Sequence, residues 1–380
     1  MPAKNTGWPA KVMRIAISAR SLDYPSGGPK EYLLGLVRAL LTLGGHELIL
    51  YYPHKSHLGT FPAATEVVLP VRNRLAFDWL ALPLALRGSG ADVAFFPSSN
   101  MPPNIPCPAV TAMLDLGYFH PTLRMYKRAD TLYMRRAIRY SARRAERLVA
   151  ISEHTRADVL RLTSARPERI SVTPLACDPA FRCPASPETI AAFRREHDLA
   201  RDFILYAGNI SPRKNLDTLL AAFAAAGDRL PCDLAVTGGY AWSEDFAASV
   251  ARLGLAGRVK RLGHVAPAAM PLLYQSARAL AFPSLFEGFG LPVLEAQASR
   301  TPVICARATS LPEVAGDGAL LVDATDVAAW AEALVRIATD ETLREALIRK
   351  GLANEAGYTW ERTARLTLDA LEAAAHIGRR

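Results

Sequence analysis

The sequence predicts an α/β fold built from two doubly wound parallel-sheet domains, on three observations. Short apolar runs of strand length alternate with helical patterns, as in βαβ units. These runs form two series, separated by a proline-rich stretch with no periodicity. The 380 residues, half of them hydrophobic, are enough for two or three domains with cores of their own.

The first series comprises Val12 to Ile17, Leu48 to Tyr51, Val93 to Phe96, Val110 to Met113 and Leu148 to Ile151. The second comprises Phe203 to Tyr206, Leu234 to Val236, Ala279 to Phe282, Val303 to Cys305 and Ala319 to Val322. Between them runs Pro174-Leu-Ala-Cys-Asp-Pro-Ala-Phe-Arg-Cys-Pro184, whose three prolines suit a connection between domains. This places a boundary near residue 180, with an N-terminal domain over 1–180 and a C-terminal domain from 181 to about 360.

The chemistry concentrates in Pro283-Ser-Leu-Phe-Glu-Gly-Phe-Gly-Leu-Pro-Val-Leu-Glu295, which follows the strand ending at Phe282. Gly288 and Gly290 permit a tight turn, and Pro292 suits the first turn of the helix that carries Glu295. Free N–H groups and the positive dipole end of such a helix can hold an anion such as a diphosphate. Glu287 on the loop is within reach of sugar hydroxyls, and Glu295, about one turn into the helix, suits a second polyol such as a ribose. The string therefore reads as a site for a phosphorylated sugar.

The segment resembles the E-x7-E signature of the retaining nucleotide-sugar glycosyltransferases of family 4, also called glycosyl transferases group 1. The likeness extends over nearly the whole chain, through Thr301-Pro-Val-Ile-Cys305 and Leu311-Pro-Glu-Val-Ala-Gly316. It implies a GT-B arrangement, with two Rossmann-like domains facing across a cleft, the N-terminal one binding acceptor and the C-terminal one donor. It also implies that Glu287 contacts the donor sugar and Glu295 the ribose, with Gly288, Phe289, Gly290 and Leu291 lining the donor site between them. A last helix, over 361–380, is implied to cross back onto the first domain, and Tyr358-Thr-Trp-Glu-Arg-Thr-Ala364 resembles its start.

Two more segments fit phosphate handling. In Ala207-Gly-Asn-Ile-Ser-Pro-Arg-Lys-Asn-Leu216, Ser211 or Asn215 stands where it can cap the helix running to about Ala226, beside Arg213 and Lys214. A guanidinium fork and a compact ammonium together suit a diphosphate leaving group, and the pair resembles the family's phosphate clamp. Ser26-Gly-Gly-Pro-Lys-Glu31 precedes a helix with apolar Tyr32, Leu33, Leu36, Val37 and Leu40. Its Gly27 and Gly28 resemble the glycine loop that lies against the donor phosphates, and Pro29 pre-sets the helix start.

Many family members carry His-Asp after the fourth strand, but here Leu114 holds the His position in Val110-Thr-Ala-Met-Leu-Asp-Leu-Gly-Tyr-Phe-His-Pro121. Asp115 is kept and His120 follows five residues later. Each has two open readings: Asp115 caps a turn or serves catalysis, and His120 is a loop residue or a catalytic one. With no Asp-x-Asp, no HExxH and no paired Cys/His spacing, the expected cofactor is none and the expected metal is none. The absence of G-x-G-x-x-G and G-x-x-x-x-G-K-[ST] argues against a dinucleotide oxidoreductase and a P-loop NTPase. The five cysteines are scattered and read as structural thiols.

Net charge is +9 and unevenly spread: Arg124 to Arg169 holds thirteen Lys and Arg against five Asp and Glu. At 100° per residue, Arg135, Arg136, Arg139, Arg143, Arg144 and Arg147 fall on one half of a helix, opposite Met134, Ala137, Ile138, Ala145 and Leu148. This basic helix reads either as a solvated face or as a surface attracted to anionic lipid. Nucleic acid is not an expected partner, since no binding motif or stacking aromatics accompany it. No apolar run is long enough to span a bilayer: Leu75 to Leu86 carries Asp78 and Pro83. The N-terminal stretch lacks a signal-peptide core, so the expected location is cytoplasmic, peripheral on the inner face of the cell membrane if the basic helix binds lipid.

The expectation is a metal-independent retaining glycosyltransferase that moves a sugar from a nucleoside diphosphate sugar to a glycan or lipid-linked acceptor. GDP-mannose is the first donor choice by likeness to bacterial mannosyltransferases. A GT-B nucleotide-sugar epimerase and a non-catalytic nucleotide-sugar or membrane-binding protein are the alternatives.

Overall fold

Runs such as Ile15-Ala-Ile17 and Phe203-Ile-Leu-Tyr206 lack polar alternation because both faces of their strands are covered by helices. The computed structural model describes residues 12–24, 27–71, 73–120, 126–238 and 246–377. Its first sheet contains β1 (Arg14–Ser18), β2 (Glu47–Tyr52), β3 (Thr65–Val68), β4 (Val93–Phe96), β5 (Ala109–Met113), β6 (Arg147–Ala150) and β7 (Ile170–Val172). The second contains β8 (Phe203–Ala207), β9 (Asp233–Thr237), β10 (Val259–Gly263), β11 (Ala279–Phe282), β12 (Val303–Ala306) and β13 (Ala319–Val322). The strand orders are β3-β2-β1-β4-β5-β6-β7 and β10-β9-β8-β11-β12-β13, and every pairing is parallel. These are two Rossmann-like, doubly wound sheets, and the order reverses between β1 and β4 in one and between β8 and β11 in the other.

Helices α1 (Gly28–Leu43), α2 (Arg74–Ala76), α3 (Leu82–Gly88), α4 (Arg128–Arg144) and α5 (Glu153–Leu162) surround the first sheet, with a π-helical turn, Phe77–Ala81, joining α2 to α3. The second sheet carries α6 (Pro187–Glu196), α7 (Leu216–Ala226), α8 (Phe246–Arg252), α9 (Met270–Ser276), α10 (Leu291–Ala298), α11 (Leu311–Ala315), α12 (Val327–Thr339) and α13 (Glu341–Glu355). A final helix, α14 (Trp360–Ile377), leaves that layer and packs on α1 and on β4 to β7 of the first sheet. Its docking depends on Gly35 of α1, where a Cβ would stand 2.1 Å from the indole of Trp360. The last three residues of the helix expected over 361–380 lie outside the described residues.

Three strands escape the sequence reading, β3, β7 and β10, and each lies at an edge of its sheet; the fourth edge, β13, was read. Edge strands pair on one side only and expose part of their side chains, so Thr65-Glu-Val-Val68 and Val259-Lys-Arg-Leu-Gly263 never form an apolar run. The basic helix is also shorter than the periodicity suggests. It ends at Arg144, because Arg147 pairs with Val110 as the first residue of β6, which takes Arg147, Ala145 and Leu148 off the helix. The connection between the sheets is packed: Leu175, Ala176, Cys177 and Phe181 are buried, and Arg182 Nη2 lies 2.6 Å from Oε1 of Glu355 at the end of α13.

Candidate active site between the two sheets

In doubly wound sheets ligands bind at the carboxyl ends of the strands where the order reverses. The loops after β8 and β11 meet there, and they carry Arg213, Lys214 and Glu287. A 3-10 turn, Pro212–Lys214, follows β8, and the hydrogen bond from Leu285 N to Arg213 O (2.8 Å) ties the two loops together. Glu287 Oε1 lies 3.0 Å from Arg213 Nη1 and 2.7 Å from Lys214 Nζ. Burial opposes the charge on Glu287, but the two cations outweigh it and hold its carboxyl at about 2. Glu287 in turn raises the Arg213 pKa, while burial lowers that of Lys214 against the pull of Glu287. Glu287 is thus a single carboxylate held between two cations.

Asn215 precedes α7 in a left-handed conformation (φ 57°), but neither it nor Ser211 caps that helix with its side chain. The Asn215 amide instead donates to Pro283 O (3.0 Å) and Ala324 O (2.6 Å), bracing the loop after β11. That loop is further held by Ser310 Oγ, which donates to Glu287 O (3.0 Å) and Phe289 O (2.7 Å). Gly290, at φ 112°, leads into α10 with Pro292 in the first turn. Phe289 is buried with its ring edge-on to Tyr358 at 5.9 Å, which leaves only its backbone for a ligand.

Glu295 sits on α10 and accepts a hydrogen bond from the Tyr274 hydroxyl at Oε2 (2.7 Å). Burial raises its pKa to about 7 against that hydrogen bond, and Glu31 in the first turn of α1 adds to the rise. The two glutamates of one motif thus sit in opposite electrostatic settings. Gly27 and Gly28 open α1, where a Cβ would meet nothing within 4 Å, so neither glycine is demanded by packing within the chain.

The first sheet meets this loop directly. A Cβ on Gly288 would stand 1.8 Å from Leu114 O and 2.9 Å from the Asp115 Cβ, so only glycine fits. Leu114 therefore supplies backbone that the motif loop rests on. Asp115 Oδ1 accepts from Gly117 N (2.9 Å), the turn-capping geometry, and its charge adds to the raised pKa of Arg213. The His120 ring lies tilted at 46° against Phe286, the residue before Glu287, with centroids 4.6 Å apart, and its Nε2 lies 3.5 Å from Asp158 Oδ2.

Several residues here escaped the sequence reading. Ser152, whose hydroxyl caps α5, donates to Gly288 O (2.7 Å), and Thr155 Oγ1 donates to the same oxygen (3.1 Å). From the other side, Glu313 of α11 accepts from Glu153 N (2.8 Å) and His154 N (3.2 Å), so its carboxylate lies on the free N–H groups of α5. His154 faces Asp158 Oδ2 at 3.5 Å, as His120 does, while Arg161 Nη2 holds Asp158 Oδ1 at 2.6 Å. The signal for α5 was present as Ser152-Glu-His-Thr155 after an apolar strand, but its partner in the other sheet lies more than 130 residues away.

Comparison with known proteins gives the family and the fold. Residues 189–353 match the family described as Glycosyl transferases group 1. Over 94% of its length, and 99% of the relative's, the chain is 33% identical to the O-antigen chain mannosyltransferase B of Escherichia coli. It is 34% identical to the D-inositol 3-phosphate glycosyltransferase of Salinispora tropica over 59% of this chain and half of that protein. Among solved structures, Anabaena HepE in complex with UDP-glucose superposes with a TM-score of 0.77 at 18% identity, covering 94% of this chain and 99% of that one. Sucrose-phosphate synthase from Thermosynechococcus elongatus gives 0.75 at 20% identity over 94% and 98%. The chain belongs to the glycosyl transferases group 1 family and is a glycosyltransferase of GT-B fold.

Proposed function

We propose that the protein transfers a sugar, with retention of anomeric configuration, from a nucleoside diphosphate sugar to a hydroxyl of a glycan or lipid-linked acceptor. The observation that carries this is the placement of Glu287 between Arg213 and Lys214 at the strand-order reversal of the second sheet, where Asp115 of the first sheet acts on Arg213 and His120 lies against Phe286. The diphosphate would lie against Arg213, Lys214 and the N-terminus of α10, with Gly27 and Gly28 approaching from α1. Glu287 would orient the donor sugar. As the bond from the anomeric carbon to the diphosphate oxygen breaks, the acceptor oxygen bonds to the same face of that carbon, and its proton passes to the departing diphosphate oxygen. Fixed cations then take the developing charge, and the reaction proceeds without a divalent metal.

GDP-mannose is the proposed donor, on likeness to the O-antigen mannosyltransferase. The acceptor would sit on the first sheet's side of the cleft, at a glycan of the surface-polysaccharide kind. Among the described residues no helix is long and apolar enough to cross a membrane, and the proposed place of work is an anionic membrane surface met through the arginines of α4.

The test is acceptor-dependent release of GDP from GDP-mannose in the presence of EDTA, with the linkage of the product assigned by NMR. Activity retained within about a factor of two, below the tenfold that 1.36 kcal/mol of barrier brings, together with an α-linked product from the α-linked donor, supports the reading. Loss restored by Mg²⁺ would overturn the metal-free part, and a β-linked product the retention.

A further inference from the structure

The segment Arg74–Gly88 buries one side and leaves the other open. Phe77, Leu82 and Leu86 pack on the first sheet, whereas Leu75, Trp79, Leu80 and Leu84 are each 49–63% exposed. Their spacing of four, one and four residues would diverge on a regular helix. The π turn at Phe77–Ala81 takes more residues per turn and brings all four to one side. An open stripe of one tryptophan and three leucines is unusual on a water-facing helix.

What covers the stripe is indicated by its neighbour. Helix α4 packs Met134, Ile138 and Ala142 into the same core as Phe77, Leu82 and Leu86, so the outward sides of both segments share one surface. Arg74 joins them, with Nη2 3.7 Å from Met134 Sδ and its guanidinium over the Tyr133 ring. On the outward side α4 presents Leu132, Arg136, Arg139 and Arg143. Among the described residues, none of these three arginines has a carboxylate within 4.0 Å, whereas Arg156 and Arg161 of α5 do. Arg136, Arg139 and Arg143, with Tyr140, Thr163 and Ser164, line a hollow of about 390 Å³.

We infer that this face is a docking surface for an anionic lipid bilayer, in which Trp79, Leu80 and Leu84 enter the interfacial layer while Arg136, Arg139 and Arg143 hold lipid phosphates. Apolar side chains beside guanidiniums that lack a carboxylate partner, one of them, Arg139, lying over the Phe119 ring, match the boundary between acyl chains and charged headgroups. The inference rests on the reading of α4 as lipid-facing and adds the element that inserts.

The experiment uses the full chain with vesicles of phosphatidylcholine alone and of phosphatidylcholine with phosphatidylglycerol. Sedimentation should show binding to the anionic vesicles. Lipids brominated near the headgroup should quench the emission of the wild type more than that of Trp79→Phe. Leu80→Ser with Leu84→Ser should weaken binding about tenfold or more. Arg136→Gln with Arg139→Gln and Arg143→Gln should weaken it up to about a hundredfold, since each guanidinium near an anionic surface is worth about fivefold. Affinity for GDP, measured on each variant, should stay at the wild-type value and so report an intact fold.

Vesicle binding that survives the two leucine substitutions but not the three arginine ones would sink the inserting stripe and leave the reading of α4 standing. Equal binding to phosphatidylcholine alone would overturn the arginine half, and no binding to any vesicle would overturn both readings. A concentration-dependent dimer that Leu80→Ser with Leu84→Ser abolishes would assign the stripe to a second copy of the chain and overturn the proposal.

Discussion

The two sides of the cleft are held in different ways. On the second sheet's side, Arg213, Lys214 and Glu287 satisfy one another within a single domain, through loops braced by Asn215 and Ser310. On the first sheet's side, the N-terminus of α5, the hydroxyls of Ser152 and Thr155, and the ring of His120 find partners across the gap, in Glu313, Gly288 O and Phe286. The second sheet's side, the proposed donor side, is thus organised in advance, and the first sheet's side, the proposed acceptor side, is completed by contact with it. Loss of a donor-side charge should therefore damage chemistry most, while changes at the contact should act on how well the two sides close.

The largest effect is expected at Arg213, which stands between the motif glutamate and the proposed diphosphate. Arg213→Ala should cost about 2 to 4 kcal/mol in kcat/KM, the range for losing one electrostatic donor to a transition state. Lys214→Ala should act in the same direction. Steady-state kinetics showing unchanged kcat/KM in both would remove the phosphate role from the donor side and reverse the comparison.

The donor side itself contains a second contrast. Glu287 has its pKa lowered to about 2, so its contribution to stability is complete above its unfolded value of 4.5 and is lost as pH falls toward 2. Glu295 has its pKa raised to about 7, so between 4.5 and 7 the folded chain keeps a proton that the unfolded chain has released. Stability should fall through that window, by on the order of 3 kcal/mol, and level off above it. Glu295→Gln should flatten the fall, with a Tm above the wild type at pH 8 and close to it at pH 5. It should also weaken donor binding more than it lowers kcat, whereas Glu287→Gln should chiefly lower kcat. An unaltered pH profile of Tm in Glu295→Gln would show that this carboxyl ionises as in water.

The donor side was legible in the sequence because its residues are adjacent to strand ends and to one another. Arg213 and Lys214 are neighbours, and Glu287 and Glu295 share one motif, so short segments together with their resemblance to the family were enough to single them out. The acceptor side was not legible, because Ser152, Glu313 and Gly288 come from three segments that only tertiary packing brings together. Leu114 shows the limit clearly. It reads as a missing histidine, yet its carbonyl forms the surface that excludes any side chain at Gly288. The fold was read through its central strands, whose apolar runs are continuous. Three of the four edge strands were missed because polar residues interrupt them on the flank open to solvent, whereas β13, the fourth, keeps the apolar run Ala319-Leu-Leu-Val322 and was read.

Gly288→Ala tests the contact between the two sides. The added methyl would stand 1.8 Å from Leu114 O, so the loop must move away from the first sheet. Displacement of this kind costs about 1 to 3 kcal/mol. It should appear as a lower kcat with GDP affinity kept, because Arg213 and Lys214 lie on the unaffected side. Full kcat in Gly288→Ala would mean that chemistry proceeds with the motif loop free of Leu114.

The smallest effects are expected where the contact is made by single polar groups. Ser152→Ala removes one of two hydroxyls from Gly288 O and the cap from α5, and a lost bond of this type is worth about 1 kcal/mol. Ser152→Thr keeps a hydroxyl and should restore most of the loss. Glu313→Gln keeps an acceptor for the α5 N–H groups but removes the charge, which at a helix N-terminus contributes about 0.3 to 1 kcal/mol and is screened by salt. Its effect should be near twofold in kcat at low salt and should fade as salt rises, while Ser152→Ala should remain salt-insensitive. A Glu313→Gln defect that persists unchanged at high salt would show that this carboxylate acts by geometry, and the closure between the two sides would then owe nothing to the helix charge.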